Sequence, residues 1–379
     1  MFLSFALPLV LAVSAAPAPP APGTAEHYAA LPQSVFCVEA ESGMVLMEEN
    51  ADLQRPPASM VKMMLMLMVD EGAIAGRWAY DKPIQISRNA EGMGGTQVYV
   101  RTGDTHPLEV LMTAVAVASA NDAAMAVAEG LWGSSAEYLK AMNARAKTLG
   151  MGSSVFNSVH GLPPGKGQEF DLTSARDMAL LGRECVKHPK ILEWTRTPTL
   201  TFRASDGTKQ STNKLLETLP GCDGIKTGYI RAAGFCITAT AERGGVRLVA
   251  VVMGDTKRGR FERTSEVLEK CFKMVRRVQP VAANAVIGKP VPVPNGVTPQ
   301  VSLLSRGALQ AVVRNEDVKK LQLVITAPTN IQAPVAAGAE VGSVKLVLGD
   351  TVFGETPLVA DASVAPKTFW QRTRERLRL

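Results

Sequence analysis

A chain of 379 residues, 46% hydrophobic and 20% charged, is long enough for two domains with a substantial buried core and is neither disordered nor low-complexity. Its net charge of +6 would suit an acidic partner, but Lys367, Arg372, Arg374, Arg376 and Arg378 against Glu375 already account for +4. The basic character is therefore largely that of a tail, and no nucleic-acid-binding surface is expected on the body. Five cysteines, Cys37, Cys185, Cys222, Cys236 and Cys271, include no Cys-x-x-Cys pair, so no metal or redox spacing is present. They read as mostly buried small hydrophobes, with room for one disulfide.

Met1 to Ala15 is an apolar run of signal-peptide length ending in small residues, although no Lys or Arg opens it, and it predicts an exported protein. An Ala/Pro-rich spacer is expected over 16–29. Ser34–Ala40 and Met44–Glu48 are β-rich runs joined across Ser42-Gly43 as a hairpin. Pro56-Pro57 then precedes a helix predicted from Ser59 to Glu71 and stopped by Gly72. It is apolar on nearly every face, so it should be buried at the centre of the domain. Glu91-Gly-Met-Gly-Gly95 lacks a following Lys-Ser/Thr and is no phosphate cradle. Pro107 opens a helical run, Leu108–Ala118, that breaks at Ser119–Asp122 and resumes as Ala123–Glu129.

Further helices are expected over Asp171–Lys187 and Glu262–Val278, with a β-hairpin of Gly234–Ala241 and Val246–Met253 between them. The texture then changes to short alternating runs rich in Pro and Gly. A boundary is expected near Gln279, with a small β-sandwich over 280–365 and a basic tail over 366–379.

Three short motifs matter as an ordered set: Ser59-x-x-Lys62 at a helix start, Ser119-x-Asn121 in an interhelical turn, and Lys226-Thr227-Gly228 before a β-hairpin. A serine in the first helical turn meets free N–H groups that favour a developing oxyanion, and a lysine one turn later can serve as its base. A second Ser-x-x-Lys, Ser211 to Lys214, precedes no apolar helix and is set aside. His160 and Asp177 read as structural residues. Glu169-Phe-Asp-Leu-Thr173 is only a faint match to the deacylating loop of class A β-lactamases.

With these residues in place, the chain resembles the serine D-alanyl-D-alanine carboxypeptidases, the low-molecular-mass penicillin-binding proteins of peptidase family S11. The resemblance extends through Gly94-Gly95-Thr96, Ala118–Ala123, Val159-His-Gly-Leu162, Thr173–Met178, Asn213–Leu216 and Asp223–Tyr229, over roughly residues 30–275. Ala120 stands where the family commonly has glycine. The resemblance implies an α/β (α+β) serine β-lactamase/transpeptidase-like domain, a C-terminal all-β domain and a membrane-binding helix. It also implies trimming of the terminal D-Ala from peptidoglycan stem peptides through an acyl-enzyme, with β-lactams as covalent inhibitors and no cofactor or metal. A DD-endopeptidase and a non-catalytic wall-binding scaffold are the alternatives.

The implied roles are Ser59 as nucleophile, Lys62 as base and Ser119 as proton relay. Asn121, Lys226, Thr227, Gly228 and Tyr229 would bind substrate, the Ser59 and Tyr229 amides holding the oxyanion. A free lysine of pKa about 10.4 is only ~0.04% neutral at pH 7, so Lys62 needs burial and a neighbouring cation, Lys226, to act as base. In the tail, Phe369 and Trp370 with Arg372, Arg374, Arg376 and Arg378 form an amphipathic segment expected on an anionic inner-membrane surface, which places the protein in the periplasm.

Overall fold

A computed structural model describes residues 21–165 and 167–377. The expected signal peptide, most of the spacer's first half and Arg378 lie outside the described residues. Residues 25–29 of the spacer form a short helix, α1 (Ala25–Ala29), capped by the Thr24 side chain. The hairpin follows as β1 (Ser34–Glu39) and β2 (Val45–Glu49), and the buried helix as α2 (Lys62–Ile74). Gly72 does not end that helix. Its missing side chain makes room for the Trp78 ring, with which a Cβ would collide.

Short elements β3 (Pro83–Gln85), α3 (Arg88–Glu91) and β4 (Thr105–Pro107) lead to α4 (Leu108–Val117), α5 (Asn121–Trp132) and α6 (Ser135–Thr148). The break between α4 and α5 is shorter than expected, since Asn121 and Asp122 already belong to the second helix. Next come α7 (Ala175–Cys185), α8 (Pro189–Thr195), β5 (Thr199–Leu200), β6 (Lys209–Gln210) and α9 (Leu215–Thr218). The first four residues of the helix predicted over Asp171–Lys187 are extended; Ser174 caps α7 by accepting from Asp177 N. The domain closes with β7 (Cys222–Ile230), β8 (Gly234–Arg243), β9 (Val246–Asp255) and α10 (Gly259–Phe272).

Five strands form an antiparallel sheet in the order β2-β1-β9-β8-β7. Its period-2 sequence splits into two faces. Val35, Cys37, Leu248, Ala250 and Val252 face Val267, Leu268 and Cys271 of α10. Phe36, Val38, Val249, Val251 and Met253 face a helical lobe built on α2, α4, α5 and α7. Helix α2 is the centre of that lobe, with residues 62–70 all buried, as its all-round apolarity predicts. The cysteines are unpaired thiols, four of them buried.

The helix expected to reach Val278 stops at Phe272, and Val275–Val281 is a strand, β10, because the β-branched run pairs with a strand of the next unit. The junction expected at 279/280 thus falls inside β10. Beyond it lie β11 (Val291–Pro292), β12 (Gln300–Val301), β13 (Leu303–Ser305), β14 (Leu309–Arg314), β15 (Gln322–Thr326), β16 (Glu340–Leu348) and β17 (Thr351–Ala360). The sheet β13-β17-β16-β15 packs Val344, Leu346 and Leu358 against Val281, Leu309, Ala311 and Val313 of the β10-β14 pair. This is the expected all-β second unit. The chain leaves it through α11 (Phe369–Leu377).

Candidate active site

The site is built where the start of α2, the α4–α5 turn and the edge strand β7 meet. At Ala58 the chain turns with φ +51°, a left-handed conformation uncommon for an L-residue, and Ala58–Val61 form one turn of 3₁₀ helix that runs into α2. Ser59 and Lys62 therefore share one side, with Lys62 Nζ 2.8 Å from Ser59 Oγ.

Lys62 is fully buried and donates to two further groups, Asn121 Oδ1 at 2.7 Å and the His160 carbonyl at 3.0 Å. Asn121 is held in that orientation by its own Nδ2, which donates to the Gly94 carbonyl at 2.7 Å. Both partners of Lys62 can only accept. A neutral amine has two hydrogens for two such acceptors, which leaves its lone pair directed at the Ser59 hydroxyl. Burial first, and then the charge of Lys226, push the Lys62 pKa well below that of a free lysine. The arrangement can remove the proton of Ser59 as it attacks a carbonyl.

Ser119 occupies the turn between α4 and α5 with φ +60°, and its side chain is buried beside Asn121 at the start of α5. Lys226, Thr227 and Gly228 lie on β7, at the edge of the sheet. Half of an edge strand's backbone groups face away from its neighbour, so an extended peptide can add to it. Gly228 has a second use: a Cβ there would stand 2.5 Å from the Pro57 carbonyl and 3.2 Å from Ala58 Cβ. The absent side chain lets β7 press against the turn that carries Ser59. Tyr229 is 53% exposed, its ring stacked on Phe235 at 4.0 Å.

Lys226 is buried and, among the described residues, donates only to the neighbouring Thr227 carbonyl at 3.1 Å. Burial, followed by the charge of Arg260, lowers its pKa to about 7. Arg260, also buried, donates to the Gly228 and Cys236 carbonyls at 3.2 and 3.3 Å, and burial lowers its pKa to about 10. Among the described residues neither cation pairs with a carboxylate. Two buried, uncompensated cations beside an open strand edge make a receptor for an anion.

Several supporting groups were not expected. The backbone carbonyl of His160, not its imidazole, touches Ser59 and Lys62; burial lowers the ring's pKa to about 4 and its Nδ1 accepts from Leu162 N. That carbonyl is held in place by Asp171, which accepts from Asn157 N, Ser158 N and Ser158 Oγ, while Ser158 Oγ accepts from Gly161 N. Gly161, at φ +78°, packs so closely on Ala58 and Ser59 that a Cβ would stand 2.9 Å from Ser59 N. Arg260 did carry a signal: it falls in register with Thr264, Val267, Leu268 and Cys271 on the buried stripe of α10, where a charge is out of place. Asp177 accepts from Ser153 N and Ser154 Oγ, a structural use as expected, and Glu169 is exposed.

Residues 21–257 match the family described as D-alanyl-D-alanine carboxypeptidase, and residues 276–366 match the penicillin-binding protein 5 C-terminal domain. The chain is 31% identical over 349 residues to D-alanyl-D-alanine carboxypeptidase DacF of Bacillus subtilis, covering 90% of this chain and 88% of that protein. A crystal structure of a peptidoglycan synthesis regulatory factor, PBP3, from Streptococcus pneumoniae is similar with a TM-score of 0.71 at 26% identity, over 87% of this chain and 98% of that one. Ampicillin-bound penicillin-binding protein D2 from Listeria monocytogenes is similar over 63% of this chain and 96% of its own, with a TM-score of 0.57 and 33% identity. The endopeptidase and scaffold alternatives are not favoured by these matches. The chain belongs to the D-alanyl-D-alanine carboxypeptidase family, peptidase family S11, and is a serine-type DD-carboxypeptidase, a hydrolase of cell-wall peptidoglycan.

Proposed function

We propose that Ser59 is the residue acylated by the penultimate D-Ala carbonyl of a stem pentapeptide, and that Lys62, in its neutral form, takes the Ser59 proton. The reading rests on one observation: buried Lys62 has two acceptor-only partners besides Ser59, so its lone pair is left for the hydroxyl. The backbone amides of Ser59 and Tyr229 hold the oxyanion, each such donor being typically worth about 3–4 kcal/mol of barrier. Ser119 passes the proton to the leaving D-Ala amine, and Asn121 binds the peptide backbone in addition to holding Lys62. Lys226 and Thr227 take the terminal carboxylate, and water then releases the acyl group. The boundaries of the peptidase and β units follow the turn at Lys273-Met274, between α10 and β10.

β-Lactams present a strained amide and a carboxylate in the same relation, so they acylate Ser59 and leave it slowly. The protein is exported, resides in the periplasm and lies on the inner membrane through α11; no helix of the described residues is long and apolar enough to cross a membrane. The test is mass spectrometry after brief exposure to benzylpenicillin, with Ser59→Ala alongside. One adduct on the Ser59 peptide, missing in the variant, and release of D-Ala from a pentapeptide support the assignment. An adduct elsewhere, or one that survives the substitution, overturns it.

A further inference from the structure

The Ser211–Lys214 segment, set aside as a chance copy of the catalytic motifs, lies against the carboxylate-binding strand. Thr227 Oγ1 donates to Thr212 Oγ1 at 2.8 Å. Thr212 is itself anchored by its backbone, whose N–H donates to the carbonyl of Val117 at 3.2 Å, two residues before Ser119. On either side the segment is fixed to its surroundings. Ser211 N donates to the Pro198 carbonyl at 2.7 Å, and Asn213 Nδ2 donates to the Gly224 carbonyl of β7 at 3.0 Å. Asn213 Oδ1 in turn accepts from Leu215 N at 3.1 Å. Thr212 thus ties the end of α4 to the side chain of Thr227 across the site.

A hydroxyl has one hydrogen and two acceptor positions. A threonine left to itself loses rotamer freedom when a ligand orders it, whereas one tied to a fixed partner has that ordering in advance. We infer that Thr212 is a positioning residue for Thr227: it holds the Thr227 side chain in place and supplies a partner that can accept or donate as the Thr227 proton turns toward an arriving carboxylate. The inference rests on the reading of Thr227 as a carboxylate-binding group. It makes Thr212 a determinant of the preference for substrates with a free C-terminal carboxylate, with no part in proton transfer at Ser59.

The test compares kcat/KM on a D-Ala-D-Ala peptide with that on the same peptide carrying a C-terminal amide, in wild type, Thr212→Val, Thr212→Ser and Thr227→Val. Thr212→Val is expected to lower the acid-over-amide ratio roughly 5- to 10-fold, the size of one hydrogen bond, and Thr212→Ser to restore it. Thr227→Val is expected to lower the same ratio, and adding Thr212→Val to it is expected to lower it no further. A general loosening of the fold lowers both substrates alike and leaves the ratio unchanged, and that result overturns the inference. So does a Thr212→Ser variant as impaired in the ratio as Thr212→Val. Where Thr227→Val leaves the ratio at its wild-type value, the carboxylate role of Thr227 fails first. Where Thr227→Val lowers it and Thr212→Val does not, only the role of Thr212 fails.

Discussion

Gly228 lies so near Pro57 that no side chain fits between them: a Cβ on Gly228 would stand 2.5 Å from the Pro57 carbonyl oxygen. Strand β7 and the turn carrying Ser59 are therefore held at a separation that no side chain fits. Gly228→Ala should force them apart by a fraction of an ångström or more, and misplacement on that scale costs about 100-fold in reactivity. We expect the benzylpenicillin acylation rate to fall by about that factor while circular dichroism shows a folded protein. Acylation within twofold of wild type would refute the packing argument.

The two buried lysines are expected to set the pH dependence of the reaction. In the proposed mechanism acylation needs Lys62 neutral and Lys226 protonated, and burial lowers both pKa values, that of Lys226 to about 7. In the free enzyme kcat/KM should therefore rise with pH as Lys62 loses its proton and fall again above about pH 7 as Lys226 does. A bound carboxylate stabilises the Lys226 cation, so the falling limb of kcat should lie at higher pH than that of kcat/KM. Lys226→Arg, protonated throughout, should lose the limb near pH 7; a limb that stays there would assign it to another group.

Folding stability should respond to the same shifts. Between about pH 7 and pH 10 the unfolded lysines bind protons that the folded ones do not, so stability should increase with pH across that window. Urea denaturation of wild type and Lys226→Met at pH 7 and 9 measures this. The increase should be smaller in the variant, and an equal increase in both would exclude Lys226 as its source.

Asp171 is expected to act on the nucleophile from a distance. Its carboxylate gathers Asn157 N, Ser158 N and Ser158 Oγ, and through Ser158 it fixes Gly161 and the His160 carbonyl that accepts from Lys62. Asp171→Asn removes one acceptor oxygen from a buried cluster of donors, which should cost about 1–3 kcal/mol of stability. The acylation rate should fall as well, since Lys62 loses a fixed partner. Thermal melting and acylation kinetics on the same preparation check both; a destabilised variant with an unchanged acylation rate would limit Asp171 to a folding role.

Helix α11 presents Phe369 and Trp370 at 72% and 76% exposure, with basic residues following in its sequence. Truncation after Ala365 should reduce co-flotation with anionic vesicles, and added salt should weaken binding of the full chain. Equal flotation of the two proteins would exclude α11 as a membrane-binding segment.

The sequence by itself determined what depends on local backbone geometry. Ser59 and Lys62 are three residues apart at a helix start, so they meet whatever the rest of the chain does, and the all-round apolarity of α2 requires burial. The alternation in β1 and β9 assigns their two faces for the same reason. Local pattern failed where packing decided. Gly72 reads as a stop but makes room for Trp78, and the end of the helix expected over Glu262–Val278, from Val275 on, instead pairs with β14.

Only the tertiary structure brought Asn121 to Lys62 across 59 positions, and only it turned the His160 carbonyl toward Ser59. A backbone carbonyl has no residue-type signature, and Asp171 and Thr212 make their hydrogen bonds to partners distant in sequence. The proposed nucleophile and its base are thus written into one helical turn. What lowers the pKa of Lys62 and sets its partners is the burial, charge and hydrogen bonding that arise when separate elements close around it.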